Sequence, residues 1–113
     1  MNKEPLSKEL LQKSFSFGEE YFWKYKDALK VINELSKDYY AVIGVELYEQ
    51  AGNAPRWLAT SNYAYEETLP WDTYVKLCER AAINFIKSSK VDSDALFNLS
   101  FISEKERYGL GEP

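Results

Sequence analysis

The chain has 113 residues and a formal net charge of −4 at neutral pH, and 45% of its residues are hydrophobic. A chain of this length can bury one core but is too short for two ordinary domains, so a single domain over residues 1–113 is predicted. The sequence contains no histidine and one cysteine, Cys78. These counts exclude an internal disulfide and every catalytic or metal site that depends on histidine.

The composition also argues against several classes of ligand. The chain has no run of about eighteen apolar residues, and its glycines lack the spacing of a phosphate-binding loop. Its lysines and arginines are interleaved with acids, whereas nucleic-acid binding needs them clustered. We therefore expect a cytoplasmic, monomeric protein that requires no cofactor or metal and binds neither nucleic acid nor membranes.

Two helices are predicted in the first third of the chain. Residues 7–13 form a short helix with Ser7 as its N-cap. The segment Ser16-Phe17-Gly18-Glu19 has the spacing of a capping box, and apolar residues then recur at intervals of three and four. This pattern predicts a long helix from about Glu19 to Ser36.

A β-hairpin is predicted next, because residues 39–50 alternate as in a half-buried strand and the alternation resumes over 56–66 after a turn. With the turn centred near Asn53, odd-numbered residues of both strands share the core face, although a one-residue bulge could exchange part of this assignment. The even-numbered residues predicted to face away from the core are Tyr40, Glu46, Tyr48, Gln50, Arg56, Thr60, Asn62 and Glu66.

The last third of the chain predicts one helix and one strand. The helix runs from Trp71 to about Ser88, with Cys78 and Phe85 on its apolar stripe, and the strand covers residues 94–103. Residues 1–6 and 104–113 are predicted to be loose termini. The predicted class is α+β: a sheet of about three strands with two main amphipathic helices packed on one face, in the order α-α-β-β-α-β.

Residues 38–79 are both acidic and aromatic. They contain seven acids and two bases, together with six tyrosines and two tryptophans. Acids among amphipathic aromatics are typical of a protein-binding surface for a basic partner, although aromatics also fill cores and acids also keep proteins soluble. The hairpin geometry and the charge distribution give these candidate partner-binding residues: Tyr40, Glu46, Tyr48, Glu49, Trp57, Glu66, Glu67 and Asp72.

The hairpin sequence GVELYEQAGNAPRWLATSNYAY, followed by LPWDTYVKLCERAAINFIK, resembles the small immunity proteins encoded beside bacterial polymorphic toxins, and among them the immunity family numbered forty. The resemblance spans residues 21–103 and depends on size, element order, acidity and aromatic content. It implies a cytosolic, non-enzymatic protein that neutralises one cognate toxin domain by binding it. A basic nuclease whose active site is covered is a frequent target of such families.

Two other functions remain open from the residues alone. An enzyme without histidine would need carboxylates such as Glu46 and Glu66 as an acid/base pair, assisted by Tyr48 or Arg56. A small-molecule-binding or regulatory module would line a pocket with Trp57, Tyr63, Tyr65 and Trp71. An enclosed pocket between sheet and helices favours the second alternative, whereas an open acidic face favours toxin binding.

Overall fold

The computed structural model describes residues 6–63, 68–89, 91 and 94–107. Within these residues the chain forms four helices and five strands, which confirms the α+β class but not the three-stranded sheet or the predicted order. The elements are α1 (Lys8–Gln12), β1 (Phe15–Phe17), β2 (Glu20–Trp23), α2 (Tyr25–Lys37), β3 (Ala41–Ala51), β4 (Ala54–Asn62), α3 (Trp71–Ser88), β5 (Leu96–Ile102) and α4 (Glu104–Arg107).

The structure has a β-hairpin, formed by β1 and β2, where the sequence predicts the start of a long helix. β1 and β2 pair antiparallel, with Phe15 opposite Phe22, and a two-residue turn joins them. Gly18, the first turn residue, has a φ of 62°, which is the requirement of a type II′ turn. The predicted helix start at Glu19 is therefore wrong, because the capping-box spacing at this position belongs to a hairpin turn.

The five strands form one antiparallel sheet in the order β1-β2-β5-β3-β4. The strand near the C-terminus, β5, thus lies in the middle, between β2 and β3. Helices α2 and α3 contact each other and share one hydrophobic core with the sheet. The prediction of two main helices on one face of the sheet agrees with this packing.

The main core joins α1 and both long helices to one face of the sheet. Trp23 is fully buried there, and its indole nitrogen donates a hydrogen bond to the Leu10 carbonyl at 2.8 Å. The side-chain oxygen of Ser7 accepts a hydrogen bond from the Leu10 amide, as predicted for the N-cap of α1. Leu6, predicted to be in a loose terminus, is buried in the same core.

A smaller cluster lies at the start of α3 and includes the buried Cys78. Trp71 donates a hydrogen bond from its indole nitrogen to the Tyr39 carbonyl at 2.7 Å. Arg107 lies over the Trp71 ring and donates to the Leu69 carbonyl, also at 2.7 Å. Residues 104–107 are therefore a docked helix, where the sequence predicts a loose end.

Helix α2 ends in a left-handed residue that starts the connection to β3. Tyr39 has a φ of 62°, its amide donates to the Ser36 carbonyl, and the Tyr40 amide donates to the Leu35 carbonyl. This is the hydrogen-bond pattern of a Schellman motif, whose left-handed position is usually glycine. The Tyr39 side chain is 63% exposed, so an aromatic ring projects from a strained backbone position.

Candidate partner-binding face

The β3–β4 hairpin has a tighter turn than the sequence predicts. Gly52 and Asn53 form a two-residue turn between Ala51 and Ala54, which are opposite each other. Gly52 has a φ of 65°, again the requirement of a type II′ turn. Near the turn, odd-numbered residues therefore face even-numbered ones, and the predicted pairing of odd with odd is wrong there.

A β-bulge restores the predicted register further from the turn. Tyr48 is opposite Trp57, whereas Leu47 is opposite Ala59, so Leu58 is an extra residue in β4. A bulge of this kind reverses the facing of the residues between it and the turn. The sequence places Trp57 on the core face, but the bulge places it on the same face as Tyr48.

Two neighbouring rows of residues identify the two faces of the sheet. Trp23, Phe97 and Leu47 are consecutive partners across β2, β5 and β3, and all three belong to the core under the helices. The adjacent row must point the other way, because side chains alternate along a strand. That row comprises Phe22, Asn98, Glu46 and Thr60.

We call the side of the sheet opposite α2 and α3 the far face. By the same alternation, the residues that pair with Phe22 across the strands and the residues two positions from Glu46 along β3 also lie on this face. Its central residues are Phe15, Phe17, Glu20, Phe22, Glu46, Tyr48, Trp57, Thr60, Leu96 and Asn98.

Aromatic side chains cross the far face from one hairpin to the other, and we call Phe17, Phe22, Tyr48 and Trp57 the aromatic row. The rings of Phe17 and Phe22 meet edge to face at 5.5 Å, and those of Phe22 and Tyr48 do so at 5.0 Å. The Trp57 indole donates a hydrogen bond to the Thr60 hydroxyl at 2.7 Å. Phe22 is buried, whereas Trp57 is 55% exposed, so the row has a packed centre and an accessible end.

Two carboxylates act on the centre of the aromatic row. The pKa of the Tyr48 phenol is raised above its ordinary value, first by partial burial and then by the negative charges of Glu46 and Glu20. In the part of the chain that the structure describes, neither Glu20 nor Glu46 forms an ion pair. Glu49 differs, because it is paired with Arg56. Within the described residues, the far face thus carries two carboxylates without an ion pair beside the half-buried Tyr48 ring.

The candidate residues from the sequence have three outcomes: some lie on the far face, some lie away from it, and two are not among the described residues. Glu46, Tyr48 and Trp57 come together on the far face. Glu49 follows Tyr48 on β3 and therefore points to the opposite side of the strand. Glu66 and Glu67 lie outside the described residues.

Tyr40 and Asp72 lie away from the far face. Tyr40 packs edge to face against Phe101, 5.9 Å away, at the core under the helices. The pairing of β3 with β5 shifts between Val42 and Gly44, and this irregularity reverses the predicted facing of residues before it. Asp72 lies in the first turn of α3, next to Trp71, whose indole is bound to the Tyr39 carbonyl. Tyr39 is about 20 Å or more from Tyr48 along the chain direction of β3, so Asp72 is remote from the far face.

Sequence reasoning misses Phe17, Glu20 and Phe22, because it predicts a capping box and the start of a helix in their segment. The available signal was a two-residue Gly-Glu turn, a glycine-first loop suited to type II′ hairpins. Aromatic residues stand on both sides of this turn. Aromatics flanking such a turn are typical of a hairpin.

Of the proposed pocket lining, Tyr63 and Trp71 come together against the Tyr74 ring, but Trp57 lies apart from them. Trp71 is buried against Tyr74, while Trp57 is exposed on the far face, and Tyr65 lies outside the described residues. The space between β3 and α3 beside Cys78 has a volume of about 10 Å³, which is enough for one water molecule. This cavity cannot serve as the aromatic pocket of a small-molecule module.

The described residues also contain no group of three acidic, cysteine or histidine side chains that could hold a metal ion. None of the helices in the described ranges combines the length and the apolarity needed to cross a bilayer.

The chain was compared with known proteins and protein families. The searches of the curated proteins and of the solved structures found no match. A family model described as Immunity protein 40 matches residues 10–102, which include all five strands and both long helices. The match confirms the resemblance found in the sequence, and the chain belongs to the Immunity protein 40 family.

Proposed function

We propose that this protein neutralises a cognate bacterial toxin by binding it directly through the far face of the sheet. The family supports an immunity role, and the aromatic row supports this surface together with Glu20 and Glu46, which form no ion pair within the described residues. The observation that carries the proposal is the juxtaposition of Tyr48 and Trp57 opposite each other on β3 and β4. Both residue types are prominent among the side chains that dominate binding energy at protein interfaces.

The aromatic row is preorganised for binding. Tyr48 is held by its contact with Phe22, and Trp57 by its hydrogen bond to Thr60. A side chain that is ordered before association loses less conformational entropy in the complex. The rings therefore contribute contact area at a small entropic cost.

The charges on the far face favour a basic partner. Glu20 and Glu46 lie beside Tyr48 without an ion pair of their own in the described residues. Free carboxylates attract a positively charged surface over about 10 Å at moderate ionic strength, which accelerates association. A nuclease that binds nucleic acid through lysine and arginine has the complementary charge.

The proposed activity requires no catalysis by the immunity protein. Binding that covers a toxin's active site is sufficient to stop the toxin, and a chain without histidine lacks the commonest general base. We place the protein in the cytoplasm of the toxin-producing bacterium, as a free monomer that binds a polymorphic toxin encoded beside it.

Co-expression with the toxin tests the proposal. Cells that make the toxin from the adjacent gene should survive with the wild-type protein and die with the Tyr48→Ala, Trp57→Ala double variant. Tyr39→Ala is the matched control, because Tyr39 is as exposed as Trp57 but lies at the end of α2. Full protection by the folded double variant would contradict the far face as the binding site, and lack of protection by the wild type would contradict the immunity role.

A further inference from the structure

β4 is an edge strand with little cover. In the described residues it pairs only with β3, and it makes few contacts with the helices. Its side chains are exposed or half-buried throughout Ala54–Asn62. Trp57 and Leu58, two neighbouring large apolar residues, are 55% and 40% exposed. β4 therefore presents both its side chains and its outer backbone edge to solvent.

The ladder identifies which backbone groups face outward. The Tyr63 amide donates a hydrogen bond to the Ile43 carbonyl at 3.0 Å, so Ile43 and Tyr63 are a hydrogen-bonded pair. Such pairs alternate with non-hydrogen-bonded pairs along an antiparallel ladder. Thr60 and Asn62 are in the non-hydrogen-bonded pairs, and their backbone amides and carbonyls point away from β3.

Within the described part of the chain, the half of this edge that lies farther from the turn lacks the usual protection against strand pairing. Natural edge strands are blunted by lysine, proline, inward-pointing charge or a bulge. β4 has Pro55 and the bulge at Leu58 in the half near the turn. Residues 59–62 (Ala-Thr-Ser-Asn) contain neither proline nor charge. An unprotected edge segment beside exposed Trp57 is a template for another strand.

We propose that an extended, basic segment of the toxin pairs with the outer edge of β4 and continues the sheet as a sixth strand. This inference depends on the proposed function and names the backbone component of the same interface. Thr60 connects the two parts, because its side chain lies on the far face and its outward amide lies on the edge. A strand added here would lie directly beside Trp57, and β4 would separate it from Glu46 on β3. A long side chain such as lysine or arginine on the far face of the added strand would extend across β4 toward the Glu46 carboxylate.

A second copy of this chain suits the edge less well. The bulge at Leu58 lies at the midpoint of β4, so two copies paired antiparallel about this point would place two irregularities opposite each other. Both copies would also bring an acidic surface with the same sign of charge. A basic partner strand avoids both conflicts.

Amide hydrogen exchange tests the pairing directly. In the free protein the Thr60 and Asn62 amides should exchange fast, while the inward Ser61 and Tyr63 amides exchange slowly. On addition of a catalytically inactive form of the toxin encoded by the adjacent gene, the Thr60 and Asn62 amides should become protected. A complex in which these two amides still exchange fast would overturn the edge pairing but leave the proposed function intact.

The remaining outcomes of the exchange experiment are also decisive. Absence of any complex would contradict the proposed function, and the edge pairing with it. Protection of Thr60 and Asn62 in the free protein that is lost on dilution would show that a second copy occupies the edge, which contradicts the toxin strand.

A matched pair of substitutions provides an independent readout. Thr60→Pro removes the outward amide, and Thr60→Val keeps it, while both remove the hydroxyl that accepts from Trp57. Thr60→Pro should weaken toxin binding about tenfold or more relative to Thr60→Val, the effect of losing about one hydrogen bond. Equal affinities of the two variants, with unchanged circular dichroism, would overturn the edge pairing.

Discussion

Tyr48 and Trp57 are direct partners across the β3–β4 hairpin, in the register that the two-residue turn sets, and the extra residue Leu58 separates this register from the one beyond it. Without this bulge Trp57 would lie on the side of the sheet that packs under the helices. With it, Trp57 lies opposite Tyr48 on the far face, and its indole nitrogen donates a hydrogen bond to the Thr60 hydroxyl. The backbone irregularity therefore assembles the aromatic end of the far face.

Truncation of Tyr48 should speed dissociation of the toxin. Tyr48→Ala removes a ring held at the centre of the aromatic row, and the loss at a binding hot spot is about 2 kcal/mol or more. Tyr48→Phe keeps the edge-to-face contact with Phe22 and should retain most of the affinity. Biolayer interferometry on both variants measures the dissociation rates, and equal rates for Tyr48→Ala and wild type would exclude Tyr48 as an anchor.

The phenol of Tyr48 should titrate above an ordinary tyrosine. Burial and the charges of Glu46 and Glu20 raise its pKa, so Glu46→Gln should lower that pKa. Glu49→Gln is the control, because Glu49 points away and is bound to Arg56. Nuclear magnetic resonance of ring-labelled tyrosine follows the titration, and an unchanged pKa in Glu46→Gln would contradict the proximity of the two groups.

Because the pKa of Tyr48 is raised in the folded protein, ionisation of this phenol at high pH should lower the free energy of unfolding. A phenol with a raised pKa in the folded state keeps its proton there more readily than in the unfolded chain. Its contribution to stability is fully present below about pH 10 and is lost as the pH rises through the folded-state pKa. Urea denaturation at several alkaline pH values should show a smaller loss of stability for Tyr48→Phe than for wild type.

Tyr39→Gly should stabilise the protein. Tyr39 occupies a left-handed position that costs a residue with a side chain about 1–2 kcal/mol, and glycine avoids this cost while losing more backbone entropy on folding. The net gain is expected to be about 1 kcal/mol, with the Trp71 hydrogen bond to the backbone carbonyl retained. Tyr39→Ala should give no such gain. Urea denaturation measures both, and equal stabilities of the glycine and alanine variants would contradict the strain.

Ile86 should contribute more to stability than Phe85, its neighbour on α3. Ile86 is fully buried, whereas Phe85 is half-buried at the margin of the core. Ile86→Ala is expected to cost about 2–5 kcal/mol, and Phe85→Ala less than Ile86→Ala. A greater loss for Phe85→Ala in urea denaturation would show that the apolar face of α3 is turned toward Phe85.

The sequence predicts the long regular elements better than the hairpin details. The period of apolar residues identifies α3 to its last residue, Ser88, and the alternation identifies β3, because each buries a continuous face. The segment around Gly18 is ambiguous, since its residues satisfy a capping box and a hairpin turn equally well. Tertiary pairing of β2 with β5 decides between them, and that contact joins residues far apart in the chain.

The sequence predicts on which face of the sheet a candidate residue lies only where the strand alternates without a bulge. Glu46 and Tyr48 follow from strand alternation, and both lie on the far face. Trp57 and Tyr40 each lie beyond an irregularity of the ladder, and one extra residue reverses the facing of a side chain. No local pattern in the sequence marks these irregularities, so the three-dimensional pairing is needed to place both residues.

The rate at which the toxin associates with two charge-reversed variants tests the central claim most directly. Glu20→Lys with Glu46→Lys reverses the far face, and Glu79→Lys with Glu104→Lys changes the net charge equally on α3 and α4. The far-face variant should associate with the toxin much more slowly at low salt and show a weaker salt dependence, while the control should behave like wild type. Equal association rates for the two folded variants would contradict binding through the far face.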